Sequence, residues 1–392
     1  MGMQWPTCPI EKQNSFIPPH CPWTECAEHL RQIGGYRCRR HGVYRTARGT
    51  AVPRFRCLSC DRTFSRQTFS VTYYRKRPEL IRPIAAGLVA GSALRQLARS
   101  LQCAPTTVVR ISALLGRHAV LFNARCARSL RGRVSEPFVM DHFETFEASQ
   151  DYPFGVATVV GAESWYVYAL DPAPHPRTGK PSRSKRSRRK MAHRRPPRRN
   201  EHGRYVGSVG RVLDSLGRFT AETEQLVIRT DGHPHYGKTI RSHRLGRRVE
   251  HRSTPGPRRE LSRKGDRRRS AQRNQALFPV DLLHRLFRHS MAHHRRETIA
   301  FSRRINAAME RFALVATWRN FVKRMTERRR CNTSPAMLLG LTDQLWSWER
   351  VLARRIFFFR EELPAPWGEI YRREWTTPLL GSNERHQLKR NF

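Results

Sequence analysis

Residues 139–147 read VMDHFETFE, and residues 226–237 read LVIRTDGHPHYG. In the first stretch an apolar run, Pro137, Phe138, Val139 and Met140, leads into Asp141. In the second, Leu226, Val227 and Ile228 lead to Asp231. Short apolar runs of this kind predict strands, so the pattern is a strand ending on a carboxylate, used twice. Two such strands side by side hold two acids on a rigid sheet. A pair of that kind suits a hard divalent cation, which takes oxygen ligands and keeps positions open for phosphate oxygens.

Composition points to the phosphate of a nucleic acid. The chain has 75 Lys and Arg against 31 Asp and Glu, a formal net charge of +44. That excess is the electrostatic footprint of a protein that binds a polyanion. An anionic membrane is the competing partner. The sequence contains no apolar run of about 18 residues and no apolar leader, since Pro6, Cys8 and Pro9 occupy the N-terminus. A cytoplasmic protein that meets no membrane is expected. The length of 392 residues predicts more than one domain.

Nine cysteines, four of them in close pairs, fit metal binding better than a disulfide framework. CPWTEC supplies Cys21 and Cys26, and CLSC supplies Cys57 and Cys60. The intervening YRCRRHGVYRTARGTAVPRFRC reads as a hairpin. Two knuckles on hairpins around one tetrahedral Zn²⁺ make a zinc ribbon. Cys38 and His41 lie in the hairpin as rival ligands, and Cys8, Cys103, Cys126 and Cys331 read as structural.

Residues 79–122 carry a helical pattern. ELIRPIAAGLVAG predicts one helix and SALRQLARSLQ, capped by Ser92, a second. A short turn follows, and Pro105 opens a third helix at its first position. Helix, turn, helix predicts a DNA-reading motif in which Thr106, Thr107 and Arg110 face base or phosphate. The alternative is an ordinary helical hairpin.

Farther on, VSEPFVMD, YPFGVATVVG and SWYVYALD predict an antiparallel meander. GSVGRVLDSLGRF then predicts a helix, LVIRTD a strand, HYGKTIRSHRL a helix and RRVEHRS a last short strand. Two basic stretches, about 173–204 and 252–275, read as inserted loops. Three antiparallel strands, a helix and a parallel strand form, by analogy, the layout of a ribonuclease-H-like fold. Residues 279–328 read as the longest helical region. In it Ile305, Met309, Phe312 and Ala316 make an apolar stripe, with Arg303, Asn306 and Glu310 on the adjoining one. NTSPAMLLGLTDQLWSWERVL predicts a loop and a terminal helix.

Phosphodiester cleavage or transfer needs a nucleophile, a leaving group and charge relief at phosphorus. Two Mg²⁺ (or Mn²⁺) ions about 4 Å apart supply these, held by three carboxylates. Asp141 and Asp231 on the sheet with Glu310 on a covering helix form the expected set. Glu144, Glu147 and Asp171 are rivals for Asp141, and His233 and His235 flank Asp231.

The order of zinc ribbon, helix-turn-helix, DHFETFE, RTDGHPHY and NAAMERFALVATWRNFVKR resembles the DDE transposases of bacterial insertion sequences. The resemblance spans about residues 20–345. CLSCDRTFSRQTFS is similar to that family's second zinc knuckle. DHFETFE resembles its first catalytic block, implying Asp141, and TDG after a strand implies Asp231. MERFALVATWRNFVKR followed by NTSPAMLLGL resembles the glutamate block, implying Glu310. What the family implies is Mg²⁺-dependent cleavage at element ends, joining to target double-stranded DNA through a 3′-hydroxyl, action as a homo-oligomer on DNA, and association with the bacterial nucleoid. The expected organisation is a multidomain α/β chain. Residues 1–72 form the zinc ribbon, 73–132 the helix-turn-helix domain, 133–345 the catalytic domain and 346–392 a C-terminal helix and tail. The alternatives are a DNA-binding regulator without catalysis, an RNA-binding protein, and a nuclease of the same fold that cleaves without joining.

Overall fold

The computed structural model describes residues 16–30, 36–46, 49–175, 205–255, 263–296, 298–327 and 331–375. Cys8, most of the first basic insertion, residues 256–262 of the second and the tail from 376 fall outside them. The described residues form a mixed α/β protein with two sheets and ten α-helices.

The N-terminal sheet is antiparallel and three-stranded: β1 (Cys38–Arg45), β2 (Ala51–Cys57) and β3 (Thr63–Ser65). Its small core holds Cys21, Cys26, Phe55, Cys57, Phe64 and Phe69, completed by Phe357 from the C-terminal segment.

Three helices follow: α1 (Ile81–Val89), α2 (Leu94–Ser100) and α3 (Pro105–Ser129). Pro105 stands at the start of α3, as expected. The third helix runs much longer than its motif, because Leu114, Leu115, Ala119, Leu121 and Phe122 continue its buried face. These helices share one hydrophobic core with the large sheet.

That sheet holds β4 (Phe138–Phe146), β5 (Pro153–Gly161), β6 (Val167–Pro174), β7 (Leu226–Thr230) and β8 (Val249–Ser253), in the order β6-β5-β4-β7-β8. The meander β4-β5-β6 is antiparallel, and β7 runs parallel to both β4 and β8. Residues of β5 from Phe154 to Gly161 are all buried, the mark of a strand covered on both faces. Helix α4 (Tyr205–Phe219) and α5 (Pro234–Ser242) cover one face. Helix α6 (Arg263–Ser290) and α7 (Ile305–Thr317) cover the other.

Two expectations need correction. The second basic stretch is not a loop throughout, because α6 already begins at Arg263. Arg, Lys and Gln are good helix formers, and Leu277, Val280, Leu283 and Phe287 give the helix a buried stripe. The helix also continues through Pro279. The terminal helix is fragmentary: α8 (Pro335–Leu338), α9 (Trp348–Val351) and α10 (Trp367–Arg372) are short pieces. They wrap back over the core through Trp348, Val351, Ile370 and Tyr371. Among the described residues no helix is long and apolar enough to cross a membrane.

Candidate functional site

Four thiolate positions converge at the N-terminal sheet. The Sγ atoms of Cys21, Cys26, Cys57 and Cys60 all lie within 4.8 Å of one another. Cys21 and Cys60 are 3.7 Å apart, and Cys26 and Cys57 are 3.8 Å apart. A tetrahedron of ~2.3 Å Zn–S bonds has S···S edges of about 3.8 Å, so the four positions fit one zinc ion. Burial, then the crowding of Cys60 and Cys57, pushes the Cys21 thiol far above its usual range, and a cation relieves that cost. Cys38 stands on β1 opposite Cys57 and outside the set. His41 is exposed and also outside it. His29 lies behind the cluster, its Nδ1 2.8 Å from the Cys21 carbonyl.

The acids gather at the large sheet. On β4 and β7, Phe138 pairs with Ile228 and Val139 with Arg229. Carried two positions on, that register sets Asp231 level with Asp141. Asp141 is largely covered, its side chain 21% exposed. Its carboxyl is pushed up to about 7, first by burial and then by the charge of Asp231. The backbone N–H of His142 donates to Oδ1 at 2.8 Å and opposes the rise. Asp281 on α6 adds to it, and Arg273 on the same helix offsets it. The Tyr236 hydroxyl on α5 lies 3.4 Å from Oδ1.

Asp281 and His284 are three residues apart on α6 and so lie on one face. The His284 ring meets the edge of Phe143, two residues beyond Asp141 on the same face of β4. Its Nδ1 is 3.7 Å from Asp141 Oδ2, and its Nε2 is 2.6 Å from the Thr158 hydroxyl. Thr158 is the residue opposite Asp141 on β5.

Glu310 is not part of this gathering. Phe312 packs on Phe143 and Phe287, so that side of α7 faces the sheet. Residues two apart on a helix point about 200° apart, which turns Glu310 toward α3. There it is 2% exposed, 3.7 Å from Arg117 and 3.3 Å from Arg373. Gly116 makes the approach possible: a Cβ there would lie 2.5 Å from the Glu310 Cβ and 2.9 Å from its carbonyl oxygen. Glu310 is a buried ion-pair residue at a helix crossing, and Asp281 is the third acid near Asp141.

The rivals also have structural partners. Glu144 points to the other face, bonded to His175 at 2.8 Å and to the Tyr205 hydroxyl. Glu147 accepts from the Ile305 N–H at 2.9 Å and so caps α7. Asp171 takes a two-pronged contact from Arg211 at 2.9 and 2.6 Å, tying β6 to α4. His233 and His235 are exposed at the start of α5, beside Asp231.

On α3, Thr106 and Arg110 are exposed and Thr107 is half-buried. They stand in the first turns after the 101–104 connection from α2.

No known protein family matches this chain, and no curated protein matches it. Sequence alone did not point to Asp281 and His284, because neither follows an apolar strand. The available signal was their place at i and i+3 in DLLHRLF, flanking the Leu277, Val280, Leu283, Phe287 stripe.

Proposed function

We propose that this chain is a transposase-type enzyme of double-stranded DNA, cutting strands and joining them through metal-dependent phosphoryl transfer. In this reading the large sheet is a ribonuclease-H-like catalytic platform, and Asp141, Asp231 and Asp281 are its acids. The observation that carries it is the level placement of Asp141 and Asp231 on neighbouring parallel strands, under the helix that bears Asp281 and His284. Carboxylate oxygens are the donors that Mg²⁺ and Mn²⁺ take. A divalent cation held there supplies charge relief at phosphorus and a more acidic attacking oxygen. The chain's own part is to fix the acids on strands and to cover them with α6. The Tyr236 hydroxyl and the His142 N–H hold Asp141 in place.

The cysteine cluster, read as a zinc ribbon, and the α2–α3 pair, read as a helix-turn-helix with Thr106, Thr107 and Arg110 outward, would hold the DNA. The charge of +44 supports a polyanionic partner.

A non-catalytic DNA-binding regulator is the second reading. One observation favours it: among the described residues, only the four cysteines bring three or more ligand atoms within 4.8 Å. A nicking assay separates the two. Zinc-loaded protein and supercoiled plasmid are incubated with Mg²⁺ or Mn²⁺, for the wild type and for Asp141→Asn, Asp231→Asn and Asp281→Asn. Catalysis requires nicks that depend on the cation and vanish in each variant while DNA binding persists. Nicking that survives in all three variants, or no nicking by the wild type, removes the enzyme reading.

A further inference from the structure

The Thr158 hydroxyl has two close neighbours, the Asp141 carbonyl oxygen at 2.8 Å and His284 Nε2 at 2.6 Å. A hydroxyl owns one proton. Two oxygens at 2.8 Å attract only if that proton lies between them, and the carbonyl has none to give. The Thr158 proton therefore goes to Asp141, and His284 Nε2–H donates to Thr158. The tautomer follows: Nδ1 of His284 carries a lone pair. That lone pair stands 3.7 Å from Asp141 Oδ2, another acceptor. Two acceptors facing each other across such a gap are the arrangement two ligands take around one cation. The bond from Nε2–H to a fixed oxygen is also how ligating histidines are oriented in metal sites.

From this geometry we infer that His284 is a nitrogen ligand of the divalent cation, beside Asp141, so that the centre is mixed imidazole and carboxylate. The inference rests on the proposed metal centre and deepens it. Its consequence is metal choice. Imidazole is a ligand of first-row transition ions, of which Mn²⁺ is the weakest binder, whereas Mg²⁺ keeps an all-oxygen shell and dehydrates reluctantly. The centre should thus select Mn²⁺ over Mg²⁺. Asp231 and Asp281 complete it on the oxygen side.

Pulsed electron paramagnetic resonance of Mn²⁺ on the full zinc-loaded chain tests this without any activity. The wild type should show a directly coordinated nitrogen, and labelling histidine with ¹⁵N should change that coupling. His284→Gln should lose the coupling and weaken Mn²⁺ binding at least about tenfold, with Mg²⁺ binding changed far less. Asp141→Asn should weaken both cations. Bound Mn²⁺ with no nitrogen coupling in the wild type overturns the histidine ligand and leaves the acidic centre standing. Coupling that persists in His284→Gln assigns the nitrogen to another histidine and also overturns it. Failure of the wild type to bind Mn²⁺ outside the cysteine cluster overturns the centre itself, and the ligand with it.

Discussion

Replacing Glu310 by glutamine distinguishes an acid that holds helices together from one that does chemistry. The carboxylate is 2% exposed, and its nearer buried partner, Arg117, is 4% exposed at 3.7 Å. Arg373 at 3.3 Å is 34% exposed and partly served by solvent. Neutralising Glu310 strands Arg117 in the interior, where burial already pulls its guanidinium down to about 10. Breaking a buried pair from one side costs ~3–5 kcal/mol. The long contacts and the exposed Arg373 set the lower end, ~3 kcal/mol. At roughly 2.1 cal/mol/K per residue, a cooperative unit of the roughly 300 described residues has an unfolding entropy of about 0.6 kcal/mol/K. The melting temperature should then fall by about 5 °C. Circular dichroism melts measure the loss, and cation-dependent nicking at low temperature measures the chemistry per folded molecule. The expected result is a less stable protein that still nicks. A Glu310→Gln protein with wild-type melting and no nicking would refute the placement of Glu310 outside the centre.

Gly116→Ala should destabilise through the same crossing by ~1–3 kcal/mol, since the new methyl would collide with the Glu310 backbone; chemical denaturation checks it, and an unchanged midpoint contradicts it. Asp141, pushed from 3.8 to about 7, makes the native state bind more protons than the unfolded chain between those values. The contribution of Asp141 to the stability of the metal-free protein should therefore be full below about pH 4 and fall by up to about 4 kcal/mol as pH rises through 7, while buried histidines such as His118 and His293, held low by burial, act in the opposite direction at acid pH. Denaturation of wild type and Asp141→Asn at several pH values isolates it: the wild type should lose stability relative to the variant across that range, and a constant difference contradicts it. Zinc assay should find one ion in the cysteine cluster, and Cys57→Ser should abolish it; a wild-type melt that ignores chelation would exclude a structural zinc. DNA affinity should fall steeply with salt as counterions are recaptured, and a flat response would mean the basic surface does not meet phosphate.

The strands β4 to β7 were legible because each is short, largely apolar and bounded. β7 ends just before Asp231 as expected, whereas β4 does not end on Asp141 but runs through it to Phe146; the antiparallel meander follows from its tight connections. The cysteine pairs were legible because thiolate spacing is a local property. The third acid was not. Its helix opens in a run of Arg and Lys that carries no apolar signal, and Pro279 sits inside it. On α7 the spacing puts Glu310 beside the apolar stripe, but spacing alone does not say whether that flank meets the sheet or another helix. Gly116 decides it by letting α3 come close enough to take Glu310. That contact joins residues about 200 positions apart, and nothing local encodes it.

The most direct test is the anomalous scattering of Mn²⁺ in crystals of the zinc-loaded chain. The account predicts a manganese peak between the Asp141 and Asp231 carboxylates, within about 2.2 Å of an Asp141 oxygen and beneath α6. A manganese peak at Glu310, or none near Asp141, would contradict it.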